Sequence, residues 1–143
     1  MDNLCYDEFL SDDMCSKLCA VAKEKSKEMG VDISFAIADR NGLPRVFRRF
    51  GDALILSVTL VPYKAYTAAI TRCKTKDIAA AAAEGASLMG IHTNDSRITL
   101  VAGGYPLFVN EKVVGAIGVG GGTEEQDCEI AEYVVKFFND NIK

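Results

Sequence analysis

Residues 112–127 read KVVGAIGVGGGTEEQD and hold the clearest structural signal in the chain. Val113 to Val119 is rich in β-branched residues and interrupted by glycines, which is typical of a strand at the centre of a sheet. The glycines that follow allow the backbone to turn sharply. Thr123 and Gln126 then stand three positions apart, which is the pattern of a capping box at the start of a helix. The stretch therefore predicts a strand, a glycine turn and a capped helix.

The composition indicates an ordinary globular protein. Of the 143 residues, 49% are hydrophobic and 25% are charged, and the formal net charge is -4. A chain of this length fits one domain, which we expect to span residues 1–143. The negative charge argues against a general nucleic-acid-binding protein. Because the sequence has neither a long apolar run nor a signal-peptide pattern, we expect a cytoplasmic protein with no membrane partner.

The cysteines favour reduced thiols over a disulfide framework, because their number is odd and no C-x-x-C pair occurs. They are Cys5, Cys15, Cys19, Cys73 and Cys128. Cys15 and Cys19 share one face of a predicted helix, so a soft-metal site stays open beside the simpler interpretation of small core residues.

The first third of the chain predicts a helix and a hairpin. Ser11 caps a helix that runs to about Met29, where Gly30 ends it. Residues 31–38 alternate between apolar and small or polar side chains, as a half-buried strand does. Asn41-Gly42 favours a tight turn into a second strand over residues 43–50.

The middle of the chain predicts two helices and a three-stranded meander. Residues 53–72 are helical in pattern, with either a kink or a later helix start at Pro62. Thr75 is expected to cap a further helix that reaches about Met89. Strands are expected at 98–101 and 107–109, before the strand of the opening stretch. The order α, β, β, α, α, β, β, β, α lacks regular alternation and therefore predicts an α+β domain.

The glycine turn does not match a nucleotide-binding loop. The dinucleotide motif requires a further glycine where Thr123 stands, and the phosphate-binding loop requires a Lys-Ser or Lys-Thr pair that is absent. Glu124, Glu125 and Asp127 also occupy the first helical turn, where their carboxylates would repel a phosphate.

His92 is the only histidine in the chain. A histidine in a polar loop is more often a solvent-exposed side chain than a catalytic one, but imidazole is also the chain's strongest nitrogen ligand for iron. Phenolates are the alternative ligands for ferric haem, and they would come from Tyr63, Tyr66 or Tyr105.

Three sequence blocks resemble the signature of the GlcG/HbpS family. They are residues 64–69 (KAYTAA), 103–107 (GGYPL) and 114–127 (VGAIGVGGGTEEQD). That family includes the glycolate-operon protein GlcG, extracellular haem-binding sensor partners and the C-terminal domain of the corrinoid adenosyltransferase PduO. The resemblance spans nearly the whole chain, although the family usually has serine or alanine where Gly120 stands.

The resemblance implies a profilin-like or PAS-like five-stranded antiparallel sheet flanked by helices, assembled into a homo-oligomer. It further implies a non-catalytic protein that binds haem or a related tetrapyrrole, while haem degradation follows only by analogy. The alternative is an accessory protein of a cobalamin-dependent diol or glycerol dehydratase, or of glycolate utilisation.

The expected cofactor-binding residues have two sources: the family signature for Lys64 and the glycines, and iron-ligand chemistry for Tyr66 and His92. They are Lys64, Tyr66, Gly120, Gly121, Gly122 and His92. The family signature carries no haem ligand, so we assign the iron to His92 as the sole imidazole. A structural role for Lys64, in which it caps a helix or pairs with Glu125 or Asp127, is at least as well supported as ligand contact.

Overall fold

The computed structural model describes residues 8–142 and shows an antiparallel sheet between helices. The helices are α1 (Asp12–Met29), α2 (Leu56–Thr71), α3 (Thr75–Ala81) and α4 (Glu124–Asn141). The strands are β1 (Ser34–Asp39), β2 (Pro44–Arg49), β3 (Gly104–Val109) and β4 (Lys112–Gly120). Their order in the sheet is β2-β1-β4-β3, so the opening stretch does supply a central strand.

The two faces of the sheet carry side chains of different size. On one face, Phe35 and Ile37 of β1 and Ile117 of β4 belong to the main core, to which α1 and α4 contribute. On the other face the side chains are small, and alanines of β1 and β4 pack there against alanines and one valine of α2. The residues of this cluster are Ala36, Ala38, Val61, Ala65, Ala68, Ala69 and Ala116. The fold is therefore α+β, with helices on both sides of one sheet.

Helix α2 packs directly against the backbone of β4 because a glycine faces it. A Cβ atom at Gly118 would lie 2.4 Å from the Val61 carbonyl oxygen and 2.9 Å from the Ala65 nitrogen. Both neighbours are backbone atoms, so only a residue without a side chain fits there. This contact fixes the height of α2 above the sheet.

The predicted caps of α1 and α4 and the β1–β2 hairpin are confirmed. The Ser11 hydroxyl accepts a hydrogen bond from the Met14 N–H at 3.1 Å, and Gly30 ends α1 in the left-handed conformation. Thr123 and Gln126 form both bonds of the capping box at the start of α4. Local sequence rules are sufficient for these features because each depends on two or three neighbouring residues.

The expected five-stranded sheet is wrong, since the described residues form four strands. Residues 98–101 are not a strand, and the meander is reduced to the β3–β4 hairpin. The reason lies in α2: the Thr67 hydroxyl accepts a hydrogen bond from the Thr99 N–H at 3.0 Å and donates one to the Arg97 carbonyl at 3.4 Å. Backbone groups that a sheet would have used are thus occupied by a helix side chain.

Two helix boundaries also differ from the prediction. Helix α3 ends at Ala81, and the chain turns back so that the Leu88 N–H bonds the Ala81 carbonyl at 2.9 Å. Thr75 does not cap it, because its buried hydroxyl accepts a bond from the Gly104 N–H at 2.9 Å. Helix α2 begins at Leu56 and continues through Pro62.

The thiols of α1 are core groups. Cys15 and Cys19 are both buried, and burial raises the pKa of Cys19 to about 11. Cys5 lies outside the described residues. Within residues 8–142, no three histidine, cysteine or acidic side chains are placed to hold a metal ion, and no helix is long and apolar enough to cross a membrane.

Candidate functional site

The predicted site residues are divided among three places. Lys64, Gly121 and Gly122 line one pocket, which we call the lysine pocket. Tyr66 lines a second depression, which we call the tyrosine groove. His92 lies in an exposed single turn of 3-10 helix, Ile91–Thr93. Lys64 and Tyr66 line different sites because they are two positions apart in α2, and side chains at that spacing point about 200° apart around the helix axis.

The lysine pocket lies between the start of α2, the segment before β3 and the glycine turn into α4. Its volume is about 350 Å³, and its walls include Leu56, Leu60, Lys64, Val101, Gly121 and Asp127. Leucine and valine supply apolar walls, while Lys64 and Asp127 place two ionisable groups inside.

Lys64 and Asp127 form a buried ion pair. The Lys64 Nζ atom donates to the Val119 carbonyl at 2.8 Å and lies 3.5 Å from Asp127 Oδ2. The two side chains are 1% and 6% exposed. The predicted pairing with Asp127 is therefore confirmed over pairing with Glu125. Its burial makes it a different interaction from an exposed surface pair, because desolvation opposes both charges.

Burial shifts both members of this pair towards their neutral forms. It lowers the pKa of Lys64, and the attraction of Asp127 opposes this shift without cancelling it. It also raises the pKa of Asp127, against the stabilising effects of the Lys64 charge and the Gly122 N–H. Proton transfer from the ammonium to the carboxylate is consequently easier here than between the same groups in water.

The glycine turn makes room for this pair and braces it. A Cβ atom at Gly120 would lie 2.6 Å from Val61 Cγ2 and 3.2 Å from Lys64 Nζ, which indicates that the lysine needs a small residue there. Gly121 has φ of 120°, a conformation suited to glycine. The Gly122 N–H donates to Asp127 Oδ1 at 2.9 Å. Because a carboxylate of the protein already occupies this amide, the helix start is not an open anion site.

The tyrosine groove lies between β2, which is an edge strand, and α2. Its volume is about 250 Å³, and its walls include Leu43, Val46, Phe47, Tyr63, Tyr66 and Arg97. Leu43, Phe47 and Tyr63 are 59%, 40% and 43% exposed. Exposed apolar and aromatic side chains around one depression are typical of a ligand or partner site.

Tyr66 links this groove to the segment that carries His92. Its hydroxyl donates to Asp95, and the Arg97 guanidinium lies 4.1 Å from the centre of the Tyr66 ring. Arg97 in turn donates to Asp95 at 3.1 Å. These contacts hold residues 95–97 against the groove, three residues after His92.

The same contacts set two pKa values in opposite directions. The hydrogen bonds from Arg97 and Tyr66 lower the pKa of Asp95 to about 2. Burial, together with the bond to Asp95, raises the pKa of the Tyr66 phenol. Tyr66 is thus held protonated, which makes it a poor iron ligand at neutral pH.

Sequence reasoning missed most of the pocket walls. Ser57 and Leu60 precede Lys64 by seven and four positions, and this helical spacing places them on one side of α2. The helical period of the sequence could therefore have identified these two residues as neighbours of Lys64. Val101 and Arg97 had no such signal, because the segment that holds them has no regular period.

Comparison with known proteins identifies the family. A family model described as haem degrading protein HbpS-like matches residues 10–136. A 15.0 kDa protein from the dhaT-dhaS intergenic region of Citrobacter freundii is 38% identical over 125 residues, which cover 87% of this chain and 88% of that protein. The corrinoid adenosyltransferase PduO of Citrobacter freundii is 33% identical over 124 residues, 86% of this chain but only 37% of PduO.

A solved structure supports the same assignment. The crystal structure of a PduOC–haem complex is 30% identical in sequence and superposes with a TM-score of 0.84. The match covers 88% of this chain and 92% of that one. The extent of these matches agrees with the three sequence blocks: the chain belongs to the HbpS-like family.

Proposed function

We propose that this protein binds haem or a related tetrapyrrole in the tyrosine groove. The observation that carries the proposal is an apolar, aromatic groove that has a half-exposed guanidinium in its wall. The flat apolar faces of a porphyrin match side chains such as Phe47 and Tyr63, and Arg97 suits a propionate. The haem complex of a relative that is 30% identical supports the ligand class.

The groove favours this ligand over the lysine pocket. The lysine pocket has Glu124 and Asp127 in its walls, which disfavour the propionates. Lys64 is 1% exposed, whereas the Arg97 side chain, although it also bonds Asp95, is 55% exposed and accessible to a propionate. None of the residues found to line that pocket carries an imidazole, thiolate, thioether or phenolate, the groups that hold iron in most haem proteins. The groove leaves one side of the porphyrin in solvent, where its propionates are readily hydrated.

We assign the iron to His92. Tyr66 is held protonated by its bond to Asp95, which leaves imidazole as the better ligand. His92 stands on the segment that Asp95 and Arg97 hold against the groove. When bound, haem would supply a redox-active iron. The protein would contribute the groove walls, the guanidinium and one imidazole.

Titration with hemin tests the proposal. We expect a saturable shift of the Soret band in the wild type. Phe47→Ser should weaken binding about tenfold, equal to about 1.4 kcal/mol, because it removes one apolar wall. Val101→Ser is the matched control, since Val101 is similarly exposed (47% against 40% for Phe47) but lines the other pocket.

His92→Ala should change both the affinity and the position of the Soret band. An unaltered spectrum in this variant would exclude His92 as the iron ligand and would leave Tyr63, the exposed phenol of the groove, as the remaining candidate. Equal weakening by Phe47→Ser and Val101→Ser, or an unchanged hemin spectrum in the wild type, would contradict the assignment of the groove.

A second proposal is an accessory role beside a corrinoid-dependent diol or glycerol enzyme. Its support is the context of two relatives, one from the dhaT-dhaS intergenic region and one forming part of a corrinoid adenosyltransferase. The surface also offers contact area, because Leu54, Ile55 and Leu56 are 61%, 76% and 61% exposed. Such a run suits a protein partner, including a second copy in the proposed homo-oligomer. Either role fits a cytoplasmic protein.

A pull-down against a cobalamin-dependent diol dehydratase and its reactivating factor tests this role. We expect retention by the wild type and loss of retention with Ile55→Asp, which places a charge in the exposed run. Light scattering of each protein alone shows whether Ile55→Asp acts on self-association instead. No retention in any nucleotide state would eliminate the accessory role.

A further inference from the structure

Lys64 is a buried amine that the haem proposal leaves unused. It forms part of the wall of a pocket of about 350 Å³, yet only 1% of its side chain is exposed. A purely structural ion pair would not need such a pocket beside it. Desolvated lysines that border a cavity are the type of amine that enzymes use as nucleophiles, because a larger fraction is unprotonated.

We propose that Lys64 captures a small aldehyde or ketone as a Schiff base, with Asp127 transferring the protons. The Asp127 carboxylate, 3.5 Å from Nζ, first accepts a proton from the ammonium. The free amine then attacks the carbonyl carbon, the C=O double bond becomes a C–O single bond, and one amine proton passes to that oxygen to give a neutral carbinolamine. Asp127 returns the proton to the carbinolamine hydroxyl, the C–O bond breaks and water leaves. The net change is ammonium plus carbonyl to iminium plus water, without an oxidant or reductant.

The surroundings of Lys64 suit each stage of this sequence. Burial shifts Lys64 and Asp127 towards their neutral forms before attack, and the cationic iminium restores the pairing with the carboxylate afterwards. The Val119 carbonyl, which accepts from Nζ at 2.8 Å, orients the amine. Asp127 itself is held by the Gly122 N–H.

The walls also specify the class of carbonyl compound. Leu56, Leu60 and Val101 favour an aliphatic chain. Glu124 and Asp127 disfavour a carboxylate or phosphate on the substrate, so keto acids and sugar phosphates are excluded. The pocket volume of about 350 Å³ is sufficient for a short aliphatic aldehyde or ketone.

Reductive trapping tests the proposal. Purified protein is incubated with butanal and cyanoborohydride at neutral pH, which reduces an iminium to a stable butylamine. We expect intact mass spectrometry to show one butyl group added rapidly, and peptide mapping to place it on Lys64. Lys112 serves as the internal reference because it is an exposed lysine.

Three variants sharpen the result. Lys64→Arg should lose the rapid adduct, and Val101→Trp, which narrows the pocket mouth, should slow it. Phe108→Trp is the control, because Phe108 is similarly exposed (42% against 47% for Val101) and lines neither site, and it should leave the adduct unchanged. If Lys64→Arg fails to fold, the wild-type peptide map decides alone. Labelling of Lys64 no faster than Lys112 would overturn the proposal. The hemin titration is independent of this outcome, because it concerns the tyrosine groove.

Discussion

Asp95 shows how strongly hydrogen bonds lower the pKa of a carboxylate whose side chain is 18% exposed. It accepts hydrogen bonds from the Tyr66 hydroxyl, the Arg97 backbone N–H and the Arg97 guanidinium. All three donors favour the charged carboxylate, and its pKa falls from 3.8 to about 2. The ionised Asp95 therefore stabilises the folded state, in which residues 95–97 lie against the tyrosine groove.

Asp95→Asn should reduce stability in a pH-dependent manner. Because the folded pKa is below the unfolded one, the stabilising effect is fully present above about pH 4 and is lost as the pH falls towards about 2. Urea unfolding followed by circular dichroism should show a larger gap between wild type and variant at about pH 6 than at about pH 2. Asp13→Asn, in an exposed pair with Lys17, is the control, and an equal gap at both pH values would refute the role of Asp95.

The contact of α2 with β4 is the element-scale feature that the site depends on. Gly118→Ala should destabilise the protein by about 1–3 kcal/mol, since its Cβ would meet backbone atoms of α2 that cannot rotate away. Gly120→Ala should cost less, because its nearest neighbours are the side chains of Val61 and Lys64. Chemical denaturation of the two variants measures both effects. A milder loss for Gly118→Ala than for Gly120→Ala would show that α2 moves as a unit.

Elements governed by neighbouring residues could be predicted from the sequence. The capping box of Thr123 and Gln126, the Ser11 cap and the β1–β2 hairpin each depend on a few adjacent positions. Residues 98–101 and the end of α3 could not be predicted, since they depend on contacts from distant parts of the chain. The Thr67 hydroxyl, 32 residues before Thr99, occupies the Thr99 N–H.

The candidate site follows the same division at the scale of the whole molecule. Lys64, Asp127 and the glycine turn were accessible to sequence reasoning, because each stands in a motif or at a helical spacing. The separation of Tyr66 from Lys64 follows from helix geometry alone. Neither the pocket walls from residues 100–102 nor the approach of Arg97 to Tyr66 could be foreseen, since both require the path of a segment without regular structure.

The lysine pocket has two sides of different origin. One side is the contact between α2 and the glycines of β4, where one added methyl group would collide with the backbone of α2. The opposite side includes residues 100–102, at the end of a stretch held by turns and side-chain bonds. Substitutions at residues 100–102 can therefore change the entrance and the ligand that it admits, while the positions of Lys64 and Asp127 stay the same. Relatives with the same lysine are then expected to differ in ligand specificity more than in the reaction of the amine.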